Sequence, residues 1–348
     1  MRSSRFAASI AVLLAAGLTV ADPASGTDPR PAATDRAPVG ITTVDPATLE
    51  RGPDPSIAHT DRGWFVAGDV RVKVGKYATY LGRSSGSWVV IGYRAKRDEY
   101  EVNRVAADGT VTTIRTGLDP WGTVLSQDGS RLYATDVAPP AKRTRFRVFD
   151  AVTGKRVSGR KIRGYAQVLA ATRNRAYLSD DKSGTYTLNA RGRKRRAVSS
   201  EYAVLIDLRN DLLETFTGDP YNKGCARVSR LSDPEKTVWK SCAERVEAFN
   251  PDGTAFATVD LLSDGIGPGL VQTRLLDGTL TGRYTTGWFG TIGWETPDTL
   301  LTVANGPTRA ALVRCTDGSC ENAGDTYATP TLREAASRTM RPRTALAR

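Results

Sequence analysis

Tyr77-Ala-Thr-Tyr-Leu81, Trp121-Gly-Thr-Val-Leu125, Tyr165-Ala-Gln-Val-Leu169, Tyr202-Ala-Val-Leu-Ile206, Arg245-Val-Glu-Ala-Phe249 and Phe289-Gly-Thr-Ile-Gly293 are six copies of one five-residue phrase, and their first residues stand 44, 44, 37, 43 and 44 apart. A period near forty, with each copy opening a run of short β-like segments, marks a propeller, whose blade is a four-stranded antiparallel sheet of about that length. The second copy shows how one period is spent. Trp121 to Leu125 alternates as a strand, Ser126-Gln-Asp-Gly129 turns it, and Arg131 to Thr135 makes a second strand. Beyond a loop at Pro139-Pro140, a third strand runs from about Arg145 to Phe149, and Thr153-Gly154 turns it into a fourth, Lys155 to Arg160. Arg173-Asn174, Arg209-Asn210 and Asp252-Gly253 recur after first strands, and Asp108-Gly109, Asp277-Gly278 and Asp317-Gly318 after third strands. Gly and Asn suit these places because tight hairpin turns need positive φ.

Six full blades occupy Tyr77 to about Asp325. Upstream, Trp64 to Ala67 and Val70 to Val74 read as strands, and downstream so does Thr326 to Leu332. A ring must close, because open edge strands invite aggregation. The expectation is an all-β propeller of four-stranded antiparallel blades. Seven blades are expected, the seventh assembled from the N-terminal strands and a C-terminal contribution, with six as the alternative.

The chain of 348 residues opens with Arg2 and Arg5, an apolar stretch from Phe6 to Val20, and Ala21 before Asp22-Pro23, the pattern of a secretory signal peptide over 1–21. That run is shorter than the ~20 residues of a membrane span, no later segment approaches one, and no cysteine follows it to carry a lipid. Residues 22–55, rich in Pro, Asp, Thr and Ala, read as a disordered linker, 56–332 as the propeller, and 333–348, with five arginines and one glutamate, as a disordered basic tail. The four cysteines fit an exported chain. The midpoint of Cys225 and Cys242 falls at Asp233-Pro234, and that of Cys315 and Cys320 at Asp317-Gly318. Residues equidistant from a hairpin turn lie opposite each other, which predicts the disulfides Cys225–Cys242 and Cys315–Cys320. The paired Cys-x-x-Cys spacing of a four-cysteine zinc site is absent.

Phe249-Asn-Pro-Asp-Gly253 and Leu125-Ser-Gln-Asp-Gly129 resemble the Ser-Pro-Asp-Gly phrase of the TolB-type, WD-repeat-like propellers of secreted bacterial proteins, over about Ser56 to Leu332. The Gly-His pair and the Trp-Asp dipeptide of true WD repeats are missing. The resemblance implies the fold, export and a peptide-binding, periplasmic-type partner role, and it carries over no catalytic residue.

Several chemistries are excluded or weakened by what the chain lacks. Its one histidine, His59, makes a His-based metal site or a Ser-His-Asp triad hard to build and reads as a strand residue. No Walker loop, dinucleotide fingerprint, His-Glu-x-x-His or EF-hand loop is present, so no cofactor and no metal are expected. Asp136, Asp181, Asp260 and Asn305 end second strands seven residues past the turn, with Asp180 and Asp219 nearby. Such strand ends share a face with the starts of the innermost strands. Asp136, Asp181, Asp219 and Asp260 are therefore the carboxylates available at the channel mouth for glycoside cleavage or Ca²⁺ binding, against the plainer reading that each bonds its own loop backbone. The aromatic leaders Tyr77, Trp121, Tyr165, Tyr202 and Phe289 are read as wedges packed between blades rather than as a sugar-stacking ring.

Charge is the strongest asymmetry. Residues 141–200 hold 17 Lys and Arg against three Asp, in a chain whose net charge is +12. Lys142, Arg143, Arg145 and Arg147 form one cluster, and Arg191, Arg193, Lys194, Arg195 and Arg196 a second at a hairpin turn. Guanidinium groups gathered on one side attract phosphate or sulfate polymers. No aromatics interleave the second cluster, so specific nucleic-acid recognition is not expected. The reading is an exported, monomeric, non-catalytic binding scaffold for an anionic cell-wall or extracellular polymer or a protein partner. The alternative is a carbohydrate-active hydrolase or lyase using the mouth carboxylates.

Overall fold

The computed structural model describes residues 39–137, 143–180 and 182–331. The signal peptide, linker residues 22–38, Lys142, Asp181 and the tail 333–348 lie outside the described residues.

Seven antiparallel sheets follow one another along the chain. Blade 1 has three strands, His59–Asp61, Trp64–Ala67 and Val70–Lys73. Blade 2 is Ala78–Ser84, Ser87–Arg94, Glu99–Val105 and Val111–Thr116. Blade 3 is Thr123–Leu125, Arg131–Val137, Arg143–Asp150 and Arg156–Arg163. Blade 4 is Ala166–Thr172, Arg175–Asp180, Gly184–Asn189 and Arg196–Ser199. Blade 5 is Tyr202–Asp207, Leu212–Phe216, Ala226–Arg230 and Thr237–Ser241. Blade 6 is Glu244–Phe249, Ala255–Asp260, Leu270–Leu275 and Leu280–Thr285. Blade 7 is Trp288–Trp294, Leu300–Asn305, Arg309–Thr316 and Ser319–Asn322. The six phrases are the innermost strands of blades 2 to 7, and the seven-bladed expectation holds.

The core is divided among the seams, because the axis of the ring is a channel. Phe65 of blade 1 packs with Val90 of blade 2, Val89 of blade 2 with Phe149 of blade 3, and Phe146 of blade 3 with Val168 of blade 4. Later seams repeat this with Ala170 and Ile206, Val228 and Phe256, and Val259 and Phe289. Ile57, just before blade 1, closes the ring against Leu301 and Leu312 of blade 7. Each seam buries apolar area that a single four-stranded sheet would leave wet. The turn glycines serve the seams as well as the turns. Gly129 (φ 70°) and Gly253 (φ 72°) take the left-handed conformation. A Cβ at Gly129 would stand 2.2 Å from the Arg83 carbonyl oxygen of the preceding blade, and one at Gly253 2.5 Å from Asn210.

Three sequence expectations are corrected. Tyr327–Ala328 pairs with Arg309–Ala310 of blade 7, so the C-terminal strand extends the last blade instead of completing blade 1. The folded part also includes residues upstream of Ser56. Thr42–Thr43 pairs in parallel with the outermost strand of blade 6, Val44 is buried in the seam of blades 6 and 7, and Arg51 bridges Asn322. This stretch contributes little apolar bulk, which is why it reads as a tether, yet Asn322 Nδ2 donates to the Pro46 and Leu49 carbonyls at 3.0 and 2.9 Å and fixes it. Third, the leaders Tyr77, Trp121 and Tyr202 face the channel rather than the seams.

Both cysteine pairs are bonded, Cys225–Cys242 and Cys315–Cys320, the second joining residues directly opposite in register. His59 is buried in the first strand of blade 1, its Nδ1 2.9 Å from the Ile57 carbonyl.

Candidate functional site: channel mouth and basic flank

A cavity of about 2010 Å³ runs along the innermost strands. The third residues of the six phrases, Thr79, Thr123, Gln167, Val204, Glu247 and Thr291, line it. Alternate residues of an extended chain share a face, which brings Tyr77 and Tyr202 to it at the end where the innermost strands start, and Trp121 reaches the same mouth from the 3-10 turn ahead of its strand; all three are half-exposed. They are not interblade wedges, and Tyr165 is 53% exposed. Phe289 alone is fully buried. A register shift between Phe289 and Ile292 moves the sixth phrase by one residue, and Trp288, paired with Asn305 as Tyr202 is with Phe216, takes the mouth position instead. The seam positions belong to the second residues, among them buried Ala166 and Ala203.

Of the carboxylates expected at the mouth, Asp219 lines the cavity, whereas Asp136 and Asp260, with the nearby Asp180, are not among its lining residues, and each of these is engaged. Asp180 is buried and accepts from the backbone N–H of Lys182 and Ser183 at 3.0 and 2.6 Å. Asp260 accepts from Leu262 N at 2.9 Å, and Asp219 caps a single 3-10 turn, Pro220–Asn222, accepting from Tyr221 N at 3.0 Å. Asp136 lies 3.8 Å from Arg145 and 3.6 Å from Arg147. Glu244 receives both Nε and Nη2 of Arg274, at 2.9 and 2.7 Å, and Thr258 Oγ1 at 2.6 Å. Burial pushes the Glu244 carboxyl up, but these donors outweigh it and hold it below the usual range. Glu201 pairs with Arg227 at 2.8 Å, and Glu247 with Arg245 at 2.7 Å inside the channel. Among the described residues no three His, Cys, Asp or Glu side chains gather as a metal site.

Asp119 is a mouth residue that sequence reasoning missed. It caps the 3-10 turn Pro120–Gly122, accepting from Trp121 N at 2.9 Å, and desolvation, opposed by that bond and aided by the charge of Asp136, raises its carboxyl. The signal was present: Asp119-Pro-Trp121 and Asp219-Pro-Tyr221 are one tripeptide motif, each placing an aromatic at the cavity, with Tyr221 70% exposed.

The basic residues lie away from the channel, on the outer strands. Arg143 and Arg145 are exposed on the third strand of blade 3, and Arg156, Arg160, Lys161 and Arg163 on its fourth. Arg191, Arg193, Lys194, Arg195 and Arg196 are exposed at the last turn of blade 4. Arg160 Nη1 donates to the Gly192 carbonyl at 2.9 Å, joining the two clusters across the seam of blades 3 and 4. Few carboxylates answer them among the described residues: Asp136 lies near Arg145 and Arg147, and Asp180 is 3.7 Å from Arg195. Arg195 also lies over the Tyr186 ring at 3.7 Å. Burial and the Asp180 charge raise the Tyr186 hydroxyl well above its usual range.

No protein-family model matches the chain, and no curated protein matches it. By fold it is similar to an oligogalacturonate lyase in complex with manganese (TM-score 0.53, 14% identity, covering 74% of this chain and 78% of that one). A structure from a study of two prolyl endopeptidases matches with TM-score 0.50 and 11% identity, covering 73% of this chain and 43% of that one. The β-propeller domain of the Trilobed protease from Pyrococcus furiosus matches with TM-score 0.48 and 12% identity, covering 69% and 78%. At these identities the likeness is one of fold.

Proposed function

We propose that this propeller is an exported, non-catalytic scaffold that binds an anionic cell-wall or extracellular polymer along the flank of blades 3 and 4. The observation that carries the reading is the Arg160–Gly192 bond, which ties the exposed basic residues of the outermost strand of blade 3 to the exposed basic turn of blade 4. A polymer bound there displaces its counterions, so affinity falls steeply with salt. Export is supported by the two disulfides, which belong to an oxidising compartment, by the signal-peptide pattern of residues 1–21, and by the TolB-type resemblance. Binding rather than cleavage is supported by the carboxylates themselves: only Asp219 of this set lines the cavity, Asp180, Asp219 and Asp260 serve their own loops, and Asp136 serves two arginines.

The test is co-sedimentation with phosphate-rich wall polymer at about 50 and 200 mM salt, using wild type and a variant with Arg193, Lys194, Arg195 and Arg196 changed to Gln. Wild type should bind at low salt and lose roughly tenfold or more in affinity at high salt, and the variant should lose a comparable amount at low salt. Absence of wild-type binding at low ionic strength ends the reading.

A further inference from the structure

Arg115 and Arg147 come from different blades and share one buried ring. Arg115 lies in the outermost strand of blade 2 and Arg147 in the third strand of blade 3, and their guanidinium carbons stand 4.8 and 5.8 Å from the centre of the fully buried Phe149 ring. The Nε of each is buried without a hydrogen-bond partner. Arg115 pairs through its backbone with Val102 in blade 2, while its buried Nε is left without an acceptor. Arg156 joins them from the outermost strand of blade 3. Its Nε donates to the Ser158 carbonyl at 3.3 Å, and its guanidinium lies over Gly159, where a Cβ would come within 2.1 Å of Nη2. Gly159 stands opposite Arg147 in the sheet, so the missing side chain lets Arg156 reach toward Arg147. Arg145, more exposed, shares Asp136 with Arg147. Burial lowers the Arg147 guanidinium's affinity for its proton, and the charges of Arg115, Arg145 and Arg156 add to this against the pull of Asp136.

Arg145 and Arg147 thus share one carboxylate at a half-buried seam, Arg115 meets Arg147 over the Phe149 ring, and Arg156 lies on the strand that faces Arg147. Like charges at low local dielectric repel more strongly than in water, and an anion relieves the repulsion. Each guanidinium offers a planar fork of donors that matches a tetrahedral oxyanion, and stacking on Phe149 holds the two inner forks in place.

We infer that the seam between blades 2 and 3 is an oxyanion site in which Arg115, Arg147 and Arg156 hold one phosphate group, with Arg145 at its rim. The source assigned to that phosphate rests on the polymer-binding reading above, since the chain would continue over Arg160 to the turn at Arg191–Arg196.

Calorimetric titration of the full chain at low salt, first with inorganic phosphate and then with polyphosphate, tests the site. Wild type should bind inorganic phosphate saturably, and Arg115→Gln should weaken it by roughly tenfold, the loss of a charge-assisted hydrogen bond. Gly159→Ala provides the control for bulk charge. Its Cβ displaces only the far end of Arg156 and leaves net charge unchanged, and phosphate affinity should fall several-fold. Arg193→Gln should leave phosphate affinity unchanged and weaken polyphosphate. Should Arg115→Gln fail to fold, Arg156→Gln on the exposed strand takes its place. The site is overturned if wild type binds no phosphate, or if the folded seam variants keep wild-type phosphate affinity. Seam variants that keep wild-type affinity for both inorganic phosphate and polyphosphate overturn the site and leave the flank reading standing. Phosphate binding without polyphosphate binding supports the site and overturns the flank reading.

Discussion

Phe289 is fully buried and Tyr165 is 53% exposed, although both open copies of the same phrase. Their contributions to stability should differ accordingly. Phe289 packs in the seam of blades 6 and 7 with Val259 and Trp294, so Phe289→Ala should cost about 3–5 kcal/mol through lost transfer energy and the cavity left behind. Tyr165→Ala removes a ring that meets mostly water and should change stability by no more than about 0.5 kcal/mol. Chemical denaturation of both variants decides it, and similar losses would return Tyr165 to the wedge role expected from its sequence. The recurrence of the phrase was legible because its spacing survives any local detail. Its phase was not. A one-residue shift exchanges the faces of a strand, and nothing in Phe289-Gly-Thr-Ile-Gly293 announces the irregularity that puts Trp288 at the mouth. For the basic site, the runs at 142–147 and 191–196 were plain, but Arg115 and Arg156 were not, because they reach the seam from strands outside both runs.

The hairpin was the element most fully legible. Turn dipeptides located the hairpins, and counting outward from two of them paired the four cysteines as the structure pairs them. The two staples should differ in worth because they close loops of different length, with sequence separations of 17 and 5. In the chain-entropy view a disulfide stabilises by restricting the unfolded chain, which puts Cys225–Cys242 at about 3 kcal/mol and Cys315–Cys320 at about 2 kcal/mol. Double Cys→Ser variants, each compared with wild type by urea unfolding, should rank in that order. A larger loss at Cys315 and Cys320 would mean that the short staple holds native packing around the buried Cys315 rather than restraining the unfolded chain. Loops were less legible than turns. Residues 39–55 carry the composition of a tether and yet lie along blades 6 and 7, held by a buried Asn322 that precedes no recognisable motif.

At the scale of the whole ring, the need for closure could be argued from the six phrases, but the device that achieves it could not, since it joins residues some 240 apart. Glu295, at the end of the innermost strand of blade 7, accepts from Ser56 N at 2.6 Å, Ser56 Oγ at 2.9 Å, Arg314 Nε at 2.7 Å and Arg314 Nη2 at 2.9 Å. Arg314 in turn donates to the Pro53 carbonyl at 3.1 Å. One carboxylate thereby ties the segment that leads into blade 1 to blade 7, beside the apolar closure made by Ile57. Burial pushes the Glu295 carboxyl up, but the bonds from Arg314 and Ser56 outweigh it and hold it below its ordinary value, while the same pairing raises Arg314. A carboxyl held low in the folded state stabilises fully above the unfolded value of about 4.3 and loses that contribution as pH falls through the folded value. The melting temperature should therefore drop on acidification below about pH 5. Glu295→Gln leaves Arg314 and the Ser56 N–H without their buried acceptor charge, and should cost about 3 kcal/mol at pH 7, a fall in Tm of roughly 5–10 °C. It should also shallow the acid limb, because a neutral amide has no proton to take up, whereas Glu244 in its own blade continues to titrate. Thermal melts of wild type and variant from pH 7 to pH 3 measure both effects. An acid limb as steep in Glu295→Gln as in wild type would show that the ring is closed by the apolar seam alone.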